Sequence, residues 1–150
     1  MSRIGLKPVA VPSGVKVAIQ DRTVNVEGPK GKLSWTHRPE VSVALDEADK
    51  QITVERDGDS RLSRALHGLT RSLIANMVQG CAEGFQKGLE VYGVGYGIQL
   101  QGKTLSIQCG LSHPAVFEVP DGLEVEVTTP QARGDTDPAR MVVRGADKQA

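Results

Sequence analysis

Three glycines and a tyrosine in residues 93–97, "GVGYG", are the first candidates for chemistry in this sequence. Closely spaced glycines can cradle a phosphate, but that mechanism needs the N-terminus of a following helix. Here the alternating segment "IQLQ" follows, which predicts a strand. We therefore expect Gly93, Gly95 and Gly97 to let a strand bend or approach another backbone closely. Tyr96 would either stack on a base or sugar or fill the space between domains, and the sequence leaves both alternatives open.

Other polar motifs do not predict an enzyme or a metal site. Ser112 and His113 are adjacent in "SHP", and sequence neighbours rarely share the geometry of a nucleophile and its base. The "RGD" at residues 133–135 is interpreted as an accident within a loop. The two cysteines, Cys81 and Cys109, form no CxxC motif, and the three histidines share no ligand spacing with them. The sequence thus predicts no catalytic residue, metal, cofactor or small-molecule substrate.

The charge of the chain is balanced overall but unevenly distributed. The 150 residues include 18 basic and 18 acidic groups, which removes the bulk positive charge typical of a nucleic-acid binder. Basic groups dominate residues 1–40 and 61–113, and acidic groups dominate residues 41–60 and 114–150. This alternation indicates a basic and an acidic face, or simply solvated loops of either sign. No apolar segment has the length of a membrane span, and the first residues lack the apolar block of a secretory signal. We therefore expect a cytosolic protein with free thiols.

Two periodicities predict the local structure of the first half. Alternating apolar and polar residues predict strands at "VKVAI", "RTVNVEG", "LSWTH", "VSVAL" and "QITVER". After them the period lengthens, which predicts a helix with the buried stripe Leu62, Leu66, Leu69, Leu73 and Met77. Asp59 or Ser60 would cap the start of this helix, and Gly80 would end it.

The second half repeats the order of the first. "IQDRTVNV" from Ile19 aligns with "LQGKTLSI" from Leu100, while "VSVAL" and "ITVERDGD" have counterparts in "LEVEV" and "MVVRGAD". We predict an α+β fold of two duplicated small domains, residues 1–82 and 83–150, each an antiparallel sheet packed on one helix. The second helix is largely missing from the sequence. We therefore expect a C-terminally shortened piece of a longer protein.

Over its whole length the chain resembles a known family, bacterial protein six of the large ribosomal subunit. The segments that carry the resemblance are "MSRIGLKPVAVPSGV", "VEGPKGKL", "LIANMVQGCAEGF", "LEVYGVGYGIQLQGKTLSIQCGLSHP" and "VRGADKQA". The resemblance implies a non-enzymatic structural protein that binds large-subunit (23S) ribosomal RNA. It places the protein in the cytoplasmic ribosome, near the base of the factor-recruiting stalk and the factor-binding RNA loop. The implied partners are that RNA and neighbouring ribosomal proteins, with translation factors nearby. The family continues beyond this end with a second helix and a basic tail.

The resemblance also implies which residues contact RNA. Those that match the family signature are Gly93, Gly95, Tyr96, Ser112, His113, Pro114 and Lys148. Gly97 stands where an arginine is common, so one expected cation is missing. Lys87 and Lys103 are expected to contact the phosphate backbone. Ser2 and Arg3 would lie on an N-terminal arm that orders only against RNA.

A protein-binding or adhesion module of duplicated β-rich domains is the alternative to a ribosomal protein. The neutral net charge and the "RGD" tripeptide favour this alternative. The absence of a recognisable signal peptide and of paired cysteines counts against it. The sequence does not specify the RNA helices contacted or the angle between the two domains.

Overall fold

A computed structural model describes residues 4–150 and contains twelve strands and one helix in that range. The helix α1 is Arg61–Ala82. The strands of the first half are β1 Val9–Ala10, β2 Lys16–Gln20, β3 Thr23–Gly28, β4 Gly31–Thr36, β5 Val41–Asp46 and β6 Gln51–Arg56. Those of the second half are β7 Phe85–Val91, β8 Gly97–Gln101, β9 Thr104–Gln108, β10 Ala115–Glu118, β11 Leu123–Thr129 and β12 Ala139–Gly145. The predicted contacts of Ser2 and Arg3 lie outside the described residues. None of the helical structure in residues 4–150 is long and apolar enough to cross a membrane.

The strands pair into four antiparallel three-stranded sheets that repeat one topology. The first half has the strand orders β2-β3-β4 and β1-β6-β5, and the second has β8-β9-β10 and β7-β12-β11. Adding six to every strand number of the first half gives the orders of the second. The hairpin turns correspond as well, since Asp21 (φ 53°) and Gly102 (φ 61°) are both left-handed. The predicted duplication and the α+β class are confirmed.

The contacts within the chain define two compact units. One contains residues 4–84 together with Ala146–Gln149, and the other contains Phe85–Gly145 and Ala150. Each unit has its own apolar cluster. In the first, buried Val24, Val26, Ile52 and Ile74 pack with other residues of β3, β6 and α1. In the second, the buried cluster is smaller and consists of Ile98, Leu105, Ala132, Ala139 and Met141.

Helix α1 begins as predicted, but its packed face differs from the predicted stripe. The Ser60 hydroxyl accepts a hydrogen bond from the Ser63 backbone N–H at 3.0 Å and so caps the first turn. The prediction that Gly80 ends the helix was wrong, because α1 continues to Ala82 and left-handed Gly84 (φ 79°) follows it.

The buried face of α1 coincides only in part with the predicted leucine stripe. The buried positions are Ser63, Leu66, His67, Thr70, Ile74, Met77, Val78, Gly80 and Cys81. Leu62 and Leu69 are 48% and 50% exposed, so half-exposed leucines flank the buried face. Polar residues can lie within this face when they have partners. His67, for example, has its Nε2 2.8 Å from the Val54 carbonyl oxygen.

The apolar face of the second unit is less covered than that of the first. No helix lies in residues 85–145 of the described structure. Val9 on β1 is 5% exposed, while Leu89, which occupies the equivalent register position on β7, is 39% exposed. Trp35 on β4 packs against the first core, while its counterpart Phe117 on β10 is 54% exposed. In the first unit, α1 contacts the corresponding strands and so shields this face.

Candidate RNA-binding surface

The two predicted signature motifs of the second half meet at one surface pocket. The loop between β7 and β8 contributes Val94, Gly95 and Tyr96, and the segment after β9 contributes residues 110–114. Gln108 at the end of β9 completes a cavity of about 260 Å³. The predicted residues Gly95, Tyr96, Ser112, His113 and Pro114 are therefore neighbours in space, although the sequence separates the two motifs.

Tyr96 forms a fixed wall of this pocket. A Cβ built on Gly93 would lie 2.6 Å from carbons of the Tyr96 ring, and one built on Gly110 would lie 2.6 Å from its hydroxyl oxygen. The Tyr96 N–H donates to the Gly93 carbonyl at 3.2 Å, and the Tyr96 carbonyl accepts from the Ala132 N–H at 2.9 Å. The ring also packs against the apolar core of the second unit. Gly93 and Gly110 thus make room for an aromatic ring, whereas a Cβ on Gly95 would meet nothing within 4 Å.

The pocket has no permanently charged side chain among its lining residues, which include one histidine, His113. None of its lining residues is Lys, Arg, Asp or Glu. Two aliphatic side chains at its rim are unusually exposed, with Val94 at 80% and Leu111 at 60%. Ser112 Oγ and His113 Nδ1 are 3.5 Å apart and both residues are exposed, which is too long for a strong hydrogen bond. This pair therefore lacks the geometry of an activated nucleophile.

Lys103 lies at the opposite end of the β8-β9-β10 sheet from the pocket. It occupies the β8–β9 turn, so the length of a five-residue strand, about 17 Å, separates it from the Tyr96 end. Its Nζ forms an ion pair with Asp121, and the hydrogen bond from Lys103, together with its charge, holds the pKa of that carboxyl below its ordinary value. Both side chains are largely exposed, so solvent screens the pair.

Most cations of the second unit already have carboxylate partners. Three ion pairs join Lys103 to Asp121, Arg140 to Glu90 and Arg144 to Glu126. The Tyr92 hydroxyl also donates to Glu90 at 2.6 Å, and this bond, with Arg140, lowers the pKa of Glu90. Exposed Lys87 and Arg133 have no carboxylate within ion-pair distance in the part of the chain that the structure describes. They are the cations of this unit most available to a phosphate.

Arg133 is a candidate that the sequence interpretation missed, because it was dismissed with the "RGD" tripeptide. It is exposed and directly follows Ala132, whose N–H bonds the Tyr96 carbonyl. Its own N–H donates to the Asp137 carbonyl at 2.8 Å. No local sequence signal marks it, since only the fold brings its loop beside Tyr96.

Lys148 does not join the other predicted RNA-contact residues at the pocket. The segment Ala146–Gln149 groups with the first unit. There, Asp147, Lys148 and Gln149 line a cavity of about 120 Å³ together with Trp35 and Met77. The Asp147 carboxylate accepts a hydrogen bond from the Gln149 N–H at 2.9 Å, which forms a local turn.

Gly97, which stands where the family commonly has an arginine, is closely surrounded by other residues of the second unit. It is buried in β8, and a Cβ at this position would lie 3.2 Å from the Pro130 carbonyl oxygen. The N–H of the next residue, Ile98, donates to the same oxygen at 2.7 Å. The backbone of residues 97–98 thus bonds the segment that leads to Ala132.

Comparison with known proteins identifies the family. A family model described as ribosomal protein L6 matches residues 11–84. Large ribosomal subunit protein uL6 of Rhodopirellula baltica is 50% identical over the whole chain, which covers 78% of that relative. The uL6 proteins of Syntrophomonas wolfei and Caldicellulosiruptor bescii are both 48% identical over 99% of the chain, which covers 78% and 76% of them. The chain belongs to the ribosomal protein L6 family.

Membership in the L6 family fixes the general class of the protein. It is a structural constituent of the ribosome and not an enzyme. As a ribosomal protein it assembles with ribosomal RNA and with other ribosomal proteins. This assignment replaces the adhesion-module alternative, and the exposed "RGD" segment needs no adhesive role.

Proposed function

We propose that this L6 protein binds large-subunit ribosomal RNA near the base of the factor-recruiting stalk, close to the factor-binding RNA loop. The large-subunit part of this proposal is supported by about 50% identity over the full chain to proteins named as large-subunit components. The location at the stalk base rests on the resemblance to the family. Translation factors would act nearby. The second unit would contribute much of the RNA contact, with Gly93, Gly95 and Tyr96 on one side and Ser112, His113 and Pro114 on the other.

The mechanism is architectural. Ribosomal RNA is recognised mainly through its shape, its 2′-hydroxyls, its phosphates and its unstacked bases. Exposed Lys87 and Arg133 supply unpaired charge for phosphates, while Lys103 would have to exchange Asp121 for RNA. Lys148, Ser2 and Arg3 remain predicted RNA contacts. Each sheet-based unit acts as a rigid support that holds its own RNA-contacting groups at fixed positions.

Location on the ribosome can be tested with a tethered cleavage reagent. Val116 is 59% exposed and lies outside the pocket, so Val116→Cys in a Cys109→Ser background gives one accessible thiol, with Cys81 buried. Fe(II)-EDTA attached there should cleave the RNA at the stalk base and the factor-binding loop in assembled large subunits. The Cys109→Ser protein carried through the same labelling is the control. Cleavage confined to other RNA regions would overturn the proposed location and leave RNA binding intact.

RNA binding itself is tested by co-sedimentation. The tagged chain expressed in cells should sediment with large subunits, and rising salt should release the free protein from large-subunit RNA. A chain found only in the soluble fraction, with no RNA bound, would contradict the proposed function.

A further inference from the structure

The neutral Tyr96 pocket differs in chemistry from a phosphate site. The strongest contacts to phosphate come from Lys and Arg, and neither residue type lines this pocket. Its rim instead has two exposed aliphatic side chains, Val94 and Leu111. Exposed aliphatic groups are stabilised by a partner that removes them from water. The partner expected from this lining is therefore apolar and flat, with polar edges that Gln108 and Ser112 can reach.

The size of the pocket suits one chemical group of a larger ligand. Pockets for whole small molecules occupy roughly 300–1,000 Å³, and this cavity measures about 260 Å³. The Tyr96 wall is held by contacts with Gly93 and Gly110 and by two backbone hydrogen bonds, so the site is formed before any ligand binds. A preformed site avoids part of the ordering cost of binding.

We propose that the Tyr96 pocket holds one unstacked base of the ribosomal RNA, between the Val94 and Leu111 side chains and beside the His113 ring, without binding a phosphate. Proteins that recognise RNA commonly take bases that are splayed out of a helix and stack them on Tyr, His or other aromatic rings. Exposed Arg133 directly follows Ala132, whose N–H bonds the Tyr96 carbonyl, and does not line the pocket. We expect it to contact the backbone of the same RNA strand. This inference rests on the proposed function, since the base is part of the RNA that the protein binds.

The salt dependence of RNA binding separates a base contact from a phosphate contact. Each phosphate contact contributes about 0.7–0.9 to the slope of log K against log salt concentration, and a base contact contributes none. We would measure binding of the full chain to large-subunit ribosomal RNA over a series of salt concentrations. Leu111→Ser should weaken binding at least about fivefold, because it removes apolar surface that the base would cover, with an unchanged slope. Arg133→Gln should reduce the slope.

Val116→Ser is the matched control for Leu111→Ser. Val116 is 59% exposed against 60% for Leu111, lies in the same unit and does not line the pocket. Its RNA affinity should equal that of the unaltered chain. Thermal melting followed by circular dichroism would show that both variants fold. An equal loss of affinity in the control, or a reduced slope for Leu111→Ser, would overturn the base pocket.

Ultraviolet cross-linking in assembled large subunits provides a second readout. A nucleotide attached to the peptide spanning Val94–Tyr96 or Leu111–Pro114 is expected. Contact of these peptides with another protein only, together with normal RNA affinity of Leu111→Ser, would show a protein-docking site and reject the base. Failure of the unaltered chain to bind RNA would instead reject the proposed function and the pocket with it.

Discussion

The Tyr96 hydroxyl lies directly against the backbone of Gly110, so that a Cβ at residue 110 would be 2.6 Å from the hydroxyl oxygen. This contact joins the "GVGYG" loop to the segment that begins the "SHP" loop. The contact is one reason for a glycine after β9. The other is the left-handed backbone of Gly110 (φ 79°), which favours glycine. The position of the Tyr96 ring in the pocket therefore depends on the absence of a Cβ at Gly93 and Gly110.

Gly110→Ala should destabilise the second unit and weaken RNA binding. The substitution adds a left-handed strain of about 1–2 kcal/mol and a clash with Tyr96. Gly134→Ala is the control, because Gly134 has a similar φ of 85° with nothing within 4 Å of its Cβ position. Hydrogen exchange of the β9 amides would report the stability of this unit. Equal effects of the two substitutions would show that the Tyr96 contact is not important.

Two leucines of α1 should differ sharply in their contribution to stability. Leu66 is 9% exposed and belongs to the first core, whereas Leu69 is 50% exposed. Leu66→Ala should lower the free energy of unfolding by about 2–4 kcal/mol, and Leu69→Ala by less than about 1 kcal/mol. Fluorescence of the single tryptophan, Trp35, reports this core during urea unfolding. A larger loss for Leu69→Ala would contradict the packed face described above.

The two cysteines should react at different rates with a thiol reagent. Cys81 is fully buried and its burial raises the pKa of its thiol, which lowers the fraction of reactive thiolate. Cys109 is only half-buried. At pH 8 we expect one rapid equivalent of Ellman's reagent, lost in Cys109→Ser, and a second equivalent only on unfolding. Because the folded pKa of Cys81 is raised, its contribution to stability is present below the unfolded pKa and is lost as the pH rises through the folded value. Rapid labelling of Cys109→Ser would contradict the burial of Cys81.

The ion pair between Lys103 and Asp121 should be visible in a pH titration. Lys103 lowers the pKa of Asp121, so Lys103→Gln should return that pKa towards the ordinary aspartate value when followed by carboxyl NMR. The small stabilisation from this exposed pair is present above the unfolded pKa of about 3.9 and is lost as the pH falls through the lowered folded pKa. An Asp121 titration that Lys103→Gln leaves unchanged would exclude the pair in solution.

Much of this protein could be predicted from its sequence because the relevant signals are local. Alternation identified most of the strands but not β1, β7 and β10. The Ser60 cap fixed the start of α1, and the match of Ile19 with Leu100 revealed the duplicated topology. These features depend on neighbouring side chains and turns, which a linear sequence displays directly. The division into domains at residues 82 and 83 stays a prediction, as do the individual RNA contacts.

Only the tertiary structure decided which residues form the site and which remain available. It placed residues 94–96 beside residues 110–114, put Lys103 at the far end of the sheet, and paired that lysine with Asp121. It also showed that Leu69 is exposed while Thr70 is buried, because the sheets beneath α1, and not the leucine spacing, set its packed face. Such contacts join residues far apart in the chain, so no local pattern specifies them. The family and the repeat were determined by the sequence, and the pocket was determined by the fold.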